Sequence, residues 1–261
     1  MKFLTLIFTF FICTISAQKI LVFDSLKVKE AKNFFADDYG NLYLYKNKDF
    51  NFSKYDSLGK QLGQMRLTLP FKIQDIQNPL NIILFSENAQ EIKLVDANLV
   101  EIQSVDLRRF GFIKMAYVED QQQIWLLDES TKRLLQYRFR QDNILQAYQM
   151  YFDVENVKDM IVYKEKIYIL SNKAFTVYNF KGEKLNAFPT DNGVRLRREN
   201  DEILLIGTKS IIKFNAEFRD KIIFDKENAR IVDKNNSTYF EVNGNKIYLY
   251  PILKETEIIT D

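Results

Sequence analysis

Short apolar segments recur along the chain at intervals of about forty residues, separated by polar stretches. Each segment is a run of four residues, mostly leucine, β-branched or aromatic, a composition typical of β-strands. The runs begin at Leu42, Ile82, Ile124, Ile167, Ile203 and Thr238, with successive spacings of 40, 42, 43, 36 and 35 residues. A period of this length indicates a repeated unit that buries its faces against its neighbours.

Turn residues divide each repeat into shorter strands. Residues 37–41 lead into the first apolar run and residues 56–59 come after it, and both stretches contain Asp and Gly, which favour tight reversals. Corresponding hairpin turns are expected at 96–98, 140–143, 179–182 and 215–217. Four strands per unit and six units predict an all-β fold, a six-bladed β-propeller of four-stranded antiparallel blades. A large β-sandwich would not explain the even spacing.

A partial repeat precedes the first complete one and indicates how the ring closes. Residues 22–26 echo residues 54–58, so an outer hairpin is expected before the first complete repeat. Strands from the two ends of the chain would complete one shared blade, which removes the open sheet edge that could pair with another molecule. We therefore predict a single propeller domain over residues 18–261, closed by pairing of N- and C-terminal strands.

One repeat also resembles a known family. Residues 36–44, with the sequence ADDYGNLYL, and residues 54–60, with the sequence KYDSLGK, are similar to a repeat of the NHL type and to the secreted, TolB-like six-bladed propellers. The other repeats fill the inner turn differently, so the motif covers about one repeat. The resemblance implies a propeller that binds proteins, glycans or small ligands, although some such propellers are hydrolases or lyases.

The first seventeen residues predict a cleaved secretory signal peptide. Lys2 supplies a positive start, residues 3–12 an apolar core, and Ser16 and Ala17 small residues before the cleavage site. The alternative is an uncleaved anchor, but the apolar stretch is short for a membrane span. We expect a periplasmic or secreted protein without a transmembrane span after cleavage.

The mature sequence lacks two residue types that many active sites need. Cys13 is the only cysteine and lies in the predicted signal peptide, and the chain has no histidine. A thiol nucleophile, a disulfide, a Cys/His metal site and a Ser-His-Asp triad are therefore excluded from the mature chain. We expect no metal site, no cofactor and no catalytic residues. The net charge of +2, without a Lys/Arg block, also argues against nucleic acid as a partner.

Acidic residues recur at the predicted inner hairpin turns. Because Asp favours tight turns, a role in the turns explains these residues better than the carboxylate pair of a glycosidase or a calcium-binding loop. These residues are Asp37, Asp38, Glu119, Asp120, Glu165, Glu199, Asp201 and Asp233.

The connections between repeats are candidates for a binding face near the channel. They are expected at 69–72, 106–112, 153–159, 189–198 and 224–230. The second connection contains Arg108, Arg109, Phe110 and Phe112, and guanidinium groups pair with carboxylates and stack on aromatic rings. This group is a candidate contact patch. Alternatively, the two phenylalanines pack between blades and the arginines are solvated.

Three arginines lie on the predicted first strand of the fifth repeat, which lines the channel in a propeller. Because side chains alternate along a strand, Arg195 and Arg197 share one face, and Arg198 lies on the other. The two arginines could hold an anion such as a carboxylate or a sulfate. Alternatively, they pair with carboxylates of neighbouring blades.

These observations favour a secreted or periplasmic, non-enzymatic propeller that acts as a protein-binding or scaffold subunit. Its predicted partner is a protein of the cell envelope, and a more specific hypothesis is an accessory subunit peripherally associated with an outer-membrane secretion or surface assembly. The alternative of another class is a glycan- or anion-processing enzyme that uses carboxylates and arginines at the channel. A small-molecule sensor domain is a third interpretation.

Overall fold

The computed structural model describes residues 19–21, 25–46, 48–74, 76 and 79–252. Within these residues, six four-stranded antiparallel sheets contain all the strands and form a six-bladed propeller. The predicted fold class is therefore confirmed. Five blades run in chain order from their first strand to their fourth, and the sixth combines three C-terminal strands with β1 from the N-terminal end. The predicted signal peptide over residues 1–17 lies outside the described residues.

The chain enters the ring through β1 (Lys19–Leu21) and α1 (Ser25–Glu30). The first blade contains β2 (Ala31–Ala36), β3 (Leu42–Lys46), β4 (Asn51–Tyr55) and β5 (Gln61–Arg66). The second contains β6 (Lys72–Ile73), β7 (Ile82–Ser86), β8 (Glu91–Val95) and β9 (Glu101–Asp106). After the 3₁₀ helix η1 (Arg108–Phe110), the third contains β10 (Ile113–Val118), β11 (Gln123–Asp128), β12 (Arg133–Arg138) and β13 (Asn143–Gln149).

The remaining blades repeat this order. The fourth contains β14 (Val157–Tyr163), β15 (Lys166–Ser171), β16 (Ala174–Asn179) and β17 (Lys184–Pro189). The fifth contains β18 (Gly193–Glu199), β19 (Glu202–Gly207), β20 (Ser210–Phe214) and β21 (Asp220–Asp225). The sixth contains β22 (Ile231–Lys234), β23 (Thr238–Asn243) and β24 (Lys246–Pro251). First strands of neighbouring blades lie side by side around the central channel, with direct contacts between β2 and β22, β10 and β14, and β14 and β18.

The second strands form the centre of each blade, as their apolar sequences predict. All five residues of β7 are buried, as are the last five of β11 and of β19. The blades pack face to face through these side chains; Trp125 of β11, for example, lies 5.3 Å from the ring of Phe180 in the next blade. This packing fixes the angles between blades and gives the channel rigid walls.

Strand pairing between the chain ends closes the ring, although not through the predicted outer hairpin. β1 pairs antiparallel with β24 as the outermost strand of the sixth blade, with Ile20 opposite Tyr248. The hairpin expected at residues 22–26 is wrong in its second part, because Ser25 begins α1, and residues 22–24 lie outside the described ones. Since β1 already occupies the outer edge, the chain must next cross toward the channel. α1 makes this crossing and buries Val28.

The outer strands of the five consecutive blades share a local irregularity. Each contains a β-bulge near its preceding hairpin turn, where the register with the third strand shifts. The residues at these bulges are Leu62, Ile102, Leu145, Leu185 and Ile223. A bulge twists an exposed edge and disrupts its hydrogen-bonding pattern, which hinders pairing with another sheet.

Candidate functional site

Arg109 and Phe110 are held against the third blade. They belong to η1, in the connection between the second and third blades. The Arg109 guanidinium forms an ion pair with Asp142 and lies 4.6 Å from the Phe110 ring centre and 5.3 Å from that of Tyr137. The rings of Phe110 and Tyr137 are themselves 4.6 Å apart. Both candidates therefore fasten this connection to the third blade.

Arg108 and Phe112 of the same connection face the solvent. Arg108 pairs with Asp106 of its own loop, and its Nε donates to Oδ2 at 2.9 Å. That hydrogen bond is the main cause that lowers the pKa of Asp106 to about 2. Phe112 is 42 % exposed. The four predicted residues thus divide into an inward and an outward pair, and their role in binding stays a prediction.

Arg195 and Arg197 lie in the channel and converge on one carboxylate. Nη2 of Arg195 is 2.6 Å from Oδ1 of Asp233 on the neighbouring blade, and Nη1 of Arg197 is 3.2 Å from the same oxygen. Arg197 also donates to the Lys234 carbonyl oxygen at 2.7 Å and pairs with Glu199 at 2.5 Å. All these partners are buried or nearly so, and removing one of them would therefore leave a buried charge uncompensated. The two arginines share the channel-facing side of β18, as alternation predicted.

Arg198 takes the opposite side of the strand. Its guanidinium lies 4.4 Å from the ring centre of Tyr163, on the fourth blade. It therefore contributes a cation–π contact between blades rather than joining the cluster around Asp233. The role of the three arginines as an anion site stays a prediction.

Side chains on the first strands, or directly after one, also bond to the backbone of the next blade. Asp233 accepts from the N–H of Ala36 at 2.9 Å, and Asp159 accepts from the N–H of Leu196 at 2.7 Å. Gln74 accepts from the Val118 N–H at 3.0 Å and donates to its carbonyl oxygen. These bonds link neighbouring blades around the channel. The interpretation of Asp233 as a turn residue is wrong, because it lies within β22 and is fully buried, with its charge balanced by Arg195 and Arg197.

A second ion pair crosses the channel between the second and fourth blades. Nζ of Lys72 lies 2.8 Å from Oδ1 of Asp159 and also donates to the Lys158 carbonyl oxygen. Burial lowers the pKa of Lys72; the carboxylate of Asp159 opposes this shift, and the charge of Arg195 adds to it. The arrangement holds a partly desolvated ammonium group at mid-channel.

Two cavities occupy successive segments of the channel. The larger, of about 530 Å³, is lined by the beginnings of the first strands, at the end where the connections between blades lie. The smaller, of about 190 Å³, is lined by later residues of the same strands, including Glu119, Arg197 and Arg198. The Lys72–Asp159 pair lies between them, since Lys72 lines the larger cavity and Asp159 the smaller.

The candidate connections 69–72 and 153–159 include Lys72 and Lys158 of the larger cavity, but sequence reasoning singled out none of its lysines and missed Lys32 and Lys114. Lys32, Lys114 and Lys158 each follow the first residue of a first strand, after Ala31, Ile113 and Val157. The sequence does show this recurring pair, a small or apolar residue followed by lysine. Whether the lysine points into the channel depends on the pairing register between the first and second strands, which the spacing of the repeats does not provide.

No family model matches this chain, and no curated protein matches it. Its fold is similar to a solved streptogramin B lyase, with a TM-score of 0.54 and 10% identity, over 90% of this chain and 97% of the lyase. It is similar to PorZ of Porphyromonas gingivalis, with a TM-score of 0.54 and 13% identity, over 86% of this chain and 32% of PorZ. The Pan2 WD40 domain of Neurospora crassa gives 0.50 and 8%, over 88% and 91%.

These identities are low, so the similarity extends to the fold alone. At that level, the predicted resemblance to six-bladed propellers is confirmed. This chain spans about a third of PorZ, which is described as a bacterial surface component of the type-IX secretion system.

Proposed function

We propose that this protein is a non-enzymatic propeller that binds a protein partner in the cell envelope. The observation that carries the proposal is the uneven distribution of exposed apolar side chains. Of the thirteen large apolar side chains exposed in the described part of the chain, seven lie between residues 39 and 102. This segment supplies only the first two of six blades, so the apolar surface is concentrated on one side of the ring.

Four of these side chains lie at the same end of their blades. Because the strands of a blade are antiparallel, the turn between its first and second strands lies at the same end of the blade as the turn between its third and fourth strands. The four residues, which we call the turn-end surface, are Tyr39, Leu58, Leu80 and Val100. Tyr39 is 70 % exposed and Leu58 is 79 % exposed. Aromatic and aliphatic side chains of this kind form the central part of protein interfaces.

The channel chemistry supports binding over catalysis. General acid–base catalysis needs a carboxyl group that is free to exchange a proton with the substrate. Both oxygens of Asp159 and of Asp233 accept backbone hydrogen bonds or pair with cations of neighbouring strands. These carboxylates hold the ring together, so using them in catalysis would disrupt the blade contacts.

An envelope location is consistent with the predicted signal peptide and with the fold's occurrence in PorZ, a bacterial surface component. We infer that the protein is periplasmic or secreted and serves as an accessory subunit of an outer-membrane secretion or surface assembly. No helix within the described residues is long and apolar enough to cross a membrane. We propose that the turn-end surface attaches the protein peripherally to this outer-membrane assembly.

The test is capture of the partner with and without the turn-end surface. A tagged protein is cross-linked in cells and purified from envelope fractions, and the proteins that it retains are identified by mass spectrometry. The triple variant Tyr39→Ser, Leu58→Ser, Leu80→Ser should lose the specific partner. The matched control Ile144→Ser, Leu185→Ser, Ile222→Ser removes three exposed apolar side chains from outer strands of other blades and should retain it. Equal loss in both variants, or no specific partner, would contradict the proposal.

An enzyme is the second candidate, because Glu119 and two arginines line the smaller cavity. At about 190 Å³, this cavity is below the roughly 300–1,000 Å³ of typical ligand pockets. Oε2 of Glu119 also accepts a hydrogen bond of 2.7 Å from Nε1 of Trp125. Turnover of a glycan panel that disappears in Glu119→Gln would establish this alternative and overturn the non-enzymatic proposal.

A further inference from the structure

The larger cavity, which we call the cationic cavity, collects positive charge from five blades. Its walls include one cation from each of the first strands β2, β6, β10, β14 and β18. These cations are Lys32, Lys72, Lys114, Lys158 and Arg195. With a volume of about 530 Å³, the cavity is in the size range of small-molecule sites. Such convergence of like charges opposes folding unless something else favours it.

A recurring backbone irregularity directs three of these lysines. Lys32, Lys114 and Lys158 are each skipped in the pairing register between the first and second strands of their blades. The skipped residue of a β-bulge leaves the strict alternation of the strand, which re-aims its side chain. All three re-aimed lysines line the same cavity. The bulges therefore build a shared charged wall rather than three independent surface positions.

The charge of the cavity is only partly compensated. Lys72 pairs with Asp159, Lys114 with Glu87, and Arg195 with Asp233. Within the described parts of the chain, neither Lys32 nor Lys158 lies within ion-pair distance of a carboxylate. Nζ of Lys158 is 3.5 Å from the Gly193 carbonyl oxygen. Among the described residues, these two ammonium groups beside the cavity thus have no carboxylate at ion-pair distance.

Apolar surface lies between the charged groups. The Phe35 and Phe71 rings and the side chains of Met115 and Val157 line the cavity, and Phe35 stacks at 4.2 Å on the Arg195 guanidinium. These groups lower the local dielectric and strengthen any ion pair formed with a bound anion. They also offer a contact for the non-ionic part of a ligand.

We propose that the cationic cavity binds a small molecule that carries a phosphate or sulfate group on a compact body. Ammonium groups act as point charges, which suits a tetrahedral oxyanion whose oxygens point in several directions. A planar carboxylate is matched best by a free guanidinium fork, and Nη2 of Arg195 is already paired with Asp233. The lysine composition of the cavity therefore favours phosphate or sulfate over carboxylate.

Isothermal titration calorimetry on the purified protein tests this assignment with four probes. Glucose 6-phosphate and glucose 6-sulfate should bind, citrate should bind more weakly than either, and glucose should not bind. Tighter binding of glucose 6-phosphate would indicate a phosphorylated ligand, and tighter binding of glucose 6-sulfate would indicate a sulfated one. Raising the salt concentration should weaken binding, because the attraction is electrostatic.

Two single variants locate the site. Lys32→Gln and Lys158→Gln break no ion pair among the described residues, so both should fold, and each should weaken binding by about tenfold. Lys221→Gln, at an exposed lysine of β21, is the control and should leave the affinity unchanged. Absence of binding, citrate binding as tight as either sugar ester, or unchanged affinity in both cavity variants would overturn the proposal.

This proposal does not rest on the proposed partner. The cationic cavity opens among the connections between blades, whereas the turn-end surface lies at the opposite end of the strands. A failed partner capture would leave the titrations unaffected, and a failed titration would leave the partner capture unaffected.

Discussion

The carboxylate of Asp233 accepts a 2.9 Å hydrogen bond from the backbone N–H of Ala36, 197 residues earlier in the chain. The bond joins the first strand of the sixth blade to that of the first blade, beside the channel. The same carboxylate pairs with Arg195 and Arg197 of the fifth blade. One buried side chain therefore holds three consecutive blades at the point where the ring closes.

Removing the Asp233 carboxylate should strongly destabilise the protein. Asp233→Ala leaves two buried guanidinium groups without that countercharge and the Ala36 N–H without its acceptor, and we expect a loss of about 3–5 kcal/mol in the free energy of unfolding. Asp233→Asn keeps an acceptor oxygen and should lose less. Urea denaturation measures both, with the exposed Asp225→Ala as the control. A loss no larger than that of the control would show that Asp233 does not hold the ring.

The sequence was sufficient to predict the blades but not the contacts between them. The period from Leu42 to Thr238 reports strands that are local in the chain, so the number of blades and their strand order followed from spacing. The Asp233–Ala36 bond and the Arg109–Asp142 pair join residues that are distant in sequence, and neither has a local signature. The cationic cavity was missed for a related reason, because a bulge changes the direction of Lys158 without changing the apolar pattern around it.

Tyr43 should make the stability fall at alkaline pH. Its hydroxyl donates to Oδ2 of Asp37 at 3.0 Å, and burial, together with the charge and hydrogen bond of Asp37, raises its pKa. The native state therefore keeps the Tyr43 proton above about pH 10, where tyrosine of the unfolded chain loses it. Stability that is present below this pH is lost as the pH rises further, by about 1.4 kcal/mol per pH unit for each such tyrosine.

Tyr43→Phe should separate this titration from the hydrogen bond itself. Near neutral pH the variant should be less stable by about 1 kcal/mol, because the hydrogen bond is lost. Between about pH 10 and pH 11, its free energy of unfolding should fall less steeply than that of the wild type. Urea denaturation at several pH values measures both effects. Parallel pH profiles for the two proteins would contradict the prediction.

Arg108 and Arg109 are neighbours in the connection between the second and third blades, and alanine substitutions at the two positions should differ in their effect on stability. Arg109 contacts two aromatic rings and Asp142, so Arg109→Ala should lower the free energy of unfolding by about 1 kcal/mol. Arg108 pairs with Asp106 within one exposed loop, and Arg108→Ala should leave the stability unchanged. Equal effects in thermal melts would contradict the inward and outward assignment of the two side chains.

Removing β1 should open the outer edge of the sixth blade. A chain that begins at residue 25 lacks β1 but retains α1 with its buried Val28, whereas one that begins at residue 19 retains both elements. Only the shorter chain leaves β24 without its outer neighbour, so it should melt several degrees lower and self-associate as its concentration rises. Light scattering after size-exclusion chromatography measures the association. A peptide of residues 18–24 should restore the monomer by adding the missing strand. Identical melting and monomeric behaviour of the two chains would mean that the channel contacts around Asp233 close the ring without β1.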